Sequence, residues 1–178
     1  ISLLIAQVSC QPQPDSTSNE ITESTDTTTF EAKFEVFRDL VEDQNKGLFT
    51  EAIEVQVLYD PVFTTPKRYK AIPFIPYLQK ILAEEQLDTA GLELVFICKD
   101  GYNPSMPVSK VLKHQPYLAI QDLDAPEGQL WMDTLPNLWP PYYLVWTEHD
   151  KGDKGFTWPY GLNFLDVVGY AASFLAAA

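Results

Sequence analysis

The segment Leu92–Cys98, Leu-Glu-Leu-Val-Phe-Ile-Cys, runs directly into Lys99-Asp100-Gly101-Tyr102, and this junction constrains the fold more than any other part of the chain. Leu94, Val95, Phe96 and Ile97 lack polar alternation, so they predict a strand covered on both faces. The Asp-Gly step ends it in a turn and places Asp100 and Tyr102 at its carboxyl edge, where binding sites tend to lie. Asn103-Pro104 extends the turn. Pro107 suits the first turn of a helix, and Val108, Val111 and Leu112 give that helix an apolar face. A strand through Ile120 follows, so the local order is strand, turn, helix, strand.

With 178 residues, nearly half of them apolar, the chain is large enough for one globular domain of roughly 150 residues. Its net charge of −13 repels nucleic acid phosphates and anionic lipid headgroups, which argues against nucleic acid as a partner. Fourteen Pro together with four Trp, nine Tyr and ten Phe predict short strands, many loops and aromatic packing anchors.

The domain is expected over residues 30–169. Residues 1–10 form an apolar run ending at Cys10 and resemble the end of a bacterial lipoprotein signal peptide with its lipid-accepting cysteine, although Gln7 stands where such signals usually carry Leu. Residues 11–29 hold many hydroxyl side chains, four acids and no base, a composition that predicts a solvated, disordered tether. Residues 170–178 read as a short helix or the start of a continuation. No segment reaches the roughly 20 apolar residues needed to span a bilayer, so membrane association is expected through lipid on Cys10.

Within the domain, Ile53, Val55 and Val57 alternate with Glu54 and Gln56 as in a half-exposed strand that ends at Asp60-Pro61. Phe74, Tyr77, Leu78, Ile81 and Leu82 recur at steps of 3, 1, 3 and 1, one face of a helix. Tyr142 to Trp146 forms an apolar strand, and Trp158-Pro159-Tyr160 opens a last strand through Val168.

Taken in order, Tyr59-Asp60-Pro61, Tyr69-Lys-Ala-Ile-Pro-Phe before a helix, Asp100-Gly101-Tyr102, Pro107-Val108 before a second helix, and Tyr117-Leu118-Ala119 resemble the molybdopterin-binding domain of the sulfite oxidase superfamily. Pro141-Tyr-Tyr-Leu-Val-Trp146 and the strand from Trp158 to Val168 extend the resemblance, which spans roughly residues 54–168. It implies an α+β fold with a mainly β core crossed by short helices. Similar domains occur in small exported bacterial proteins and beside c-type haem domains, which implies a c-type cytochrome or another respiratory-chain protein as partner.

Catalytic members of that family bind molybdenum through a cysteine thiolate on a loop ahead of the segment matching Tyr69 to Phe74. Here Tyr59 to Arg68 contains no cysteine, and the one thiol of the domain, Cys98, lies one motif later at the end of an apolar strand. A buried free cysteine behaves as a small hydrophobe. The expectation is therefore no cofactor and no catalytic residue, with molybdopterin oxidoreduction through Cys98 as the alternative. A phosphate-bearing pterin would also need cations, for which Lys67, Arg68 and Lys70 form the one compact basic cluster, with Lys110 and Lys113 on the second helix. Asp100 and Tyr102 complete the candidate pocket residues, Asp100 more readily as an acceptor for amides of its own turn.

Other chemistries find less support. His114 and His149 have no second ligand at metal spacing, and Glu148-His149-Asp150 with Asp153 does not match a calcium loop. There is no glycine-flanked serine elbow and no Cys-x-x-Cys-His, so the chain attaches no c-type haem within this sequence. A Cys10–Cys98 disulfide is possible in an oxidising compartment unless lipid occupies Cys10. The runs Leu135 to Pro141 and Phe156 to Tyr160, with Trp131, Trp139, Trp146 and Trp158 near them, are candidates for an exposed interface. The expected protein is thus a lipid-anchored, periplasmic or surface-side envelope module that serves as a binding or assembly subunit of an electron-transfer system.

Overall fold

The computed structural model describes residues 32–132, 142–148 and 153–170. The architecture is mainly β, a curled antiparallel sheet with a few short helices. In chain order the elements are β1 (Ala32–Asp39), α1 (Leu40–Asn45), β2 (Ile53–Val57), β3 (Lys67–Pro73), α2 (Phe74–Glu84), β4 (Leu92–Cys98), β5 (Ser105–Pro107), α3 (Val108–Lys113), β6 (Pro116–Asp122), β7 (Tyr142–Trp146) and β8 (Tyr160–Tyr170). Among the described residues, no helix is long and apolar enough to cross a membrane.

The sheet runs β2-β3-β6-β7-β8-β4-β5, with β1 joined to β8 off that path. The eleven residues of β8 make this branching possible. Its first residues pair with β7 and the rest with β1, while β4 pairs along the opposite edge from Leu162 to Gly169.

Two apolar clusters lie on opposite faces of the sheet, and β7 shows why. Tyr142, Leu144 and Trp146 join the larger cluster with α2, whereas Tyr143 and Val145 join a second one with Val57, Tyr69, Trp131 and Tyr160. Successive strand residues point to opposite faces, so a strand with a core on each side must be apolar throughout. All five residues of β7 are buried.

The helix expected from the apolar spacing forms as α2, and Phe74, Tyr77, Leu78, Ile81 and Leu82 are its buried residues. At roughly 1.5–3 kcal/mol for each large side chain removed from water, this face supplies most of its hold on the sheet. Two further expectations are corrected. In β4, Leu92, Leu94, Phe96 and Cys98 are buried while Glu93, Val95 and Ile97 are only half-buried, so the strand is covered fully on one face and not on both. In β2, Ile53 is exposed although it shares a parity with buried Val55 and Val57, and the strand ends at Val57, before Asp60.

β1 and α1 were not evident from the sequence. Asp39 caps α1 by accepting from the amides of Val41 and Glu42 at 2.9 and 3.0 Å, as a helix start requires. Asp43, buried on α1, accepts from both Arg38 Nε and Nη2 at 2.9 Å and from the Tyr77 hydroxyl at 2.5 Å. The Tyr142 hydroxyl donates to the Leu40 carbonyl and also contacts Gln44 Oε1. These contacts tie the amino-terminal strand and helix to α2 and β7.

Candidate functional site

The turn after β4 forms as its sequence demands. Gly101 has φ +86°, a backbone conformation that L side chains rarely adopt, and its amide donates to the Cys98 carbonyl at 3.1 Å. Asp100 Oδ1 accepts from the Tyr102 amide at 2.9 Å, the local role expected for it. Asn103 Oδ1 and the Tyr102 carbonyl both accept from the Cys98 amide at 3.3 Å. Tyr102 is 48% exposed, with a phenol shifted upward by partial burial and by the nearby Cys98 and Asp100.

Cys98 points the other way, into the larger core, and is a free thiol only 5% exposed. Burial first, then the Asp100 carboxylate, pushes its pKa up to about 12. At neutral pH it is a neutral thiol and a poor metal donor, since the thiolate is the ligand.

The expected basic cluster does not exist as a cluster. Alternation along β3 sends Lys67 with Tyr69 toward the second apolar cluster, while Arg68 and Lys70 are exposed. Lys67 Nζ pairs with Asp122 Oδ2 at 2.6 Å, both side chains at most 2% exposed, and lies 4.8 Å from the Phe63 ring centroid. Arg68 Nε and Nη2 donate to Asp124 Oδ1 at 3.0 and 2.7 Å. Burial pushes Asp124 up, but Arg68's hydrogen bonds and charge outweigh it and hold the carboxyl below its ordinary value. Lys70 borders an open cavity of about 310 Å³ with Gln44, Phe49, Glu51, Ile72 and Ile120. In sheet order, β6, β7 and β8 separate this strand from β4, so the structure does not join the two halves of the candidate site through neighbouring strands.

A second cavity of about 310 Å³ opens between the start of α2 and the end of α3, lined by Pro73, Phe74, Pro76, Leu112, Pro116 and Tyr117 among others. Neither cavity is lined by Asp100 or Tyr102. The Phe156 to Tyr160 run is not an exposed patch either. Phe156 meets the Trp146 ring at 4.8 Å and Lys110 Nζ at 4.3 Å, and Pro159 and Tyr160 are buried. Leu135 to Pro141, His149, Asp150, Trp139 and Cys10 lie outside the described residues.

The polar centre not anticipated from the sequence is Asp60, fully buried beside the second apolar cluster. Its Oδ1 accepts from the Val62 amide at 2.8 Å, the Phe63 amide at 3.1 Å and the Tyr143 hydroxyl at 3.2 Å. Its Oδ2 accepts from the Tyr69 hydroxyl at 2.8 Å. Burial raises the Asp60 carboxyl against the pull of those four donors, and it raises both phenols as well. In the sequence Asp60 stood out as part of the Tyr59-Asp60-Pro61 step, not as a buried acceptor.

The group implied by the family resemblance, molybdopterin, needs a thiolate for the metal and free cations for its phosphate. As placed, these residues do not fit it. Cys98 is a neutral core thiol, and the loop from Tyr59 to Arg68 is organised around Asp60. Lys67 is committed to Asp122 and Arg68 to Asp124.

No family model, curated protein or solved structure matches this chain.

Proposed function

We propose that this protein is a bacterial envelope lipoprotein, anchored through Cys10 on the periplasmic or surface side, whose domain resembles that of the sulfite oxidases and acts without molybdenum catalysis. Its role is that of a binding or assembly subunit in an electron-transfer system that includes a c-type cytochrome. The observation that carries this reading is Cys98, whose burial keeps it protonated and unsuited to bind molybdenum. The Asp60 hydrogen bonds support it, because they make the preceding loop a structural one.

Metal and pterin analysis tests the non-catalytic part. Purified from a bacterial host that assembles molybdopterin, the full chain should carry neither molybdenum nor pterin in stoichiometric amount, and both together at one per chain overturn the reading. Mass spectrometry of the membrane fraction tests the anchor. A diacylglyceryl adduct on Cys10, lost in Cys10→Ser, is expected, and an unmodified, soluble chain in a lipoprotein-processing host contradicts it.

A further inference from the structure

The outer face of β1, β8 and β4 lies opposite the larger core. Strand register sets its side chains in three rows: Glu35, Val168 and Glu93; Phe37, Asp166 and Val95; Asp39, Phe164 and Ile97. At its centre the Phe37 and Phe164 rings stack with centroids 5.1 Å apart, and Phe37 is 55% exposed. Four carboxylates stand among these nine side chains, with no Lys or Arg in the three rows. Asp39 is committed to capping α1, which leaves Glu35, Asp166 and Glu93. Asp166 is only 7% exposed, and its Oδ1 has no hydrogen-bond donor among the described residues.

We propose that this face, centred on the Phe37–Phe164 stack, flanked by Glu35 and Glu93 and with Asp166 beneath its middle, docks a cationic protein whose lysine or arginine side chains surround an apolar patch. The inference rests on the reading of the domain as a binding module and names the face and the partner's chemistry. An exposed aromatic stack is the kind of anchor that carries binding energy, while a rim of one charge sets orientation and rate. A second copy of the chain would meet the same carboxylates across the contact, so charge favours a basic partner. An arriving ammonium or guanidinium pairs with the carboxylates of Glu35 and Glu93 at the edges of the patch. Burial first, then hydrogen bonding and charge from Glu35, raise Asp166 to about 7, and burial raises Glu93 despite its bond to Ser105. A cationic partner favours the ionised carboxylates, so docking releases protons near neutral pH.

The test is a titration of the isotope-labelled full chain with a lysine-rich c-type cytochrome at low salt, followed by NMR, beside the same cytochrome with its lysines acetylated. Amide shifts should concentrate in β1, β8 and β4, and acetylation should abolish them. Phe37→Ser should weaken binding about tenfold with the fold retained. Glu35→Gln with Glu93→Gln should weaken it severalfold and flatten its salt dependence. Binding should also weaken between pH 7.5 and 5.5. Shifts centred elsewhere, no binding at low salt, or native affinity in Phe37→Ser each overturn the inference. Those failures leave the metal analysis above untouched, and molybdenum with pterin would overturn the proposed function without moving this face.

Discussion

Lys67 Nζ lies 2.6 Å from Asp122 Oδ2, an ion pair from which water is almost wholly excluded. Among the described residues neither atom has an aligned hydrogen-bond partner, so the pair is held by charge, with the Phe63 ring against Lys67 Nζ. Removing one member strands the other as a buried charge, which costs about 3–5 kcal/mol. Lys67→Met alone and Asp122→Leu alone should each lower the urea midpoint sharply. The double variant should recover most of the loss, because an apolar pair of similar volume needs no compensating charge. Equilibrium unfolding of the four proteins closes the cycle, and a double variant no better than the worse single one contradicts it.

Asp60 poses a related question with hydroxyl donors in place of a cation. Tyr69→Phe removes the donor to Oδ2, and Tyr143→Phe removes one of three donors to Oδ1. Tyr69→Phe should cost more, about 1.5–3 kcal/mol, since it deprives a buried carboxylate oxygen of its side-chain donor. Tyr143→Phe should cost about 1 kcal/mol. Denaturant midpoints of the two variants decide the order, and equal losses would mean that the oxygens share their donors.

Cys98 makes a prediction about reactivity. Its pKa of about 12 and its burial leave almost no thiolate at pH 8, so an aromatic disulfide reagent should label the native domain only as fast as the domain opens. Labelling should accelerate by orders of magnitude in denaturant. Cys98→Ala should fold normally with a loss of about 1 kcal/mol, a cost of packing alone. Rapid labelling of Cys98 in a native Cys10→Ser chain would mean an accessible thiolate and would reopen the metal-ligand role.

The contrast between these residues explains how much the sequence revealed. α2 was legible because five apolar side chains mark one helical face within eleven residues, and β7 because both of its faces are buried. The Asp100-Gly101-Tyr102 turn was legible because its hydrogen bonds close within a few residues. Asp60 and Asp43 were not, because partners that make their burial tolerable lie 83 and 34 residues away in Tyr143 and Tyr77. β1 escaped notice for another reason. Val36 packs on the core while Phe37 faces outward, so its apolar residues do not alternate. Lys67, Arg68 and Lys70 looked like a solvated basic patch by composition, yet a period of two places Lys67 on the opposite face from the others. The candidate site was thus legible as a turn and a strand, but not as a set of charges already committed elsewhere.

Asp166 supplies the remaining prediction, one of pH. Burial and the neighbouring Glu35 carboxyl raise it to about 7, so between about pH 4 and 7 the folded protein holds a proton that the unfolded chain releases. The sign follows from that difference. This contribution is fully present below the unfolded carboxyl's pKa, near 3.9, and is lost as pH rises through about 7. The loss is of order 2 kcal/mol. Asp166→Asn keeps the shape and cannot ionise, so it should flatten the decline in stability between pH 4 and 7. It should leave the variant more stable than the native protein at pH 8. Urea midpoints across that range measure both effects, and a native protein whose excess decline over the variant is absent would place the Asp166 carboxyl at an ordinary value.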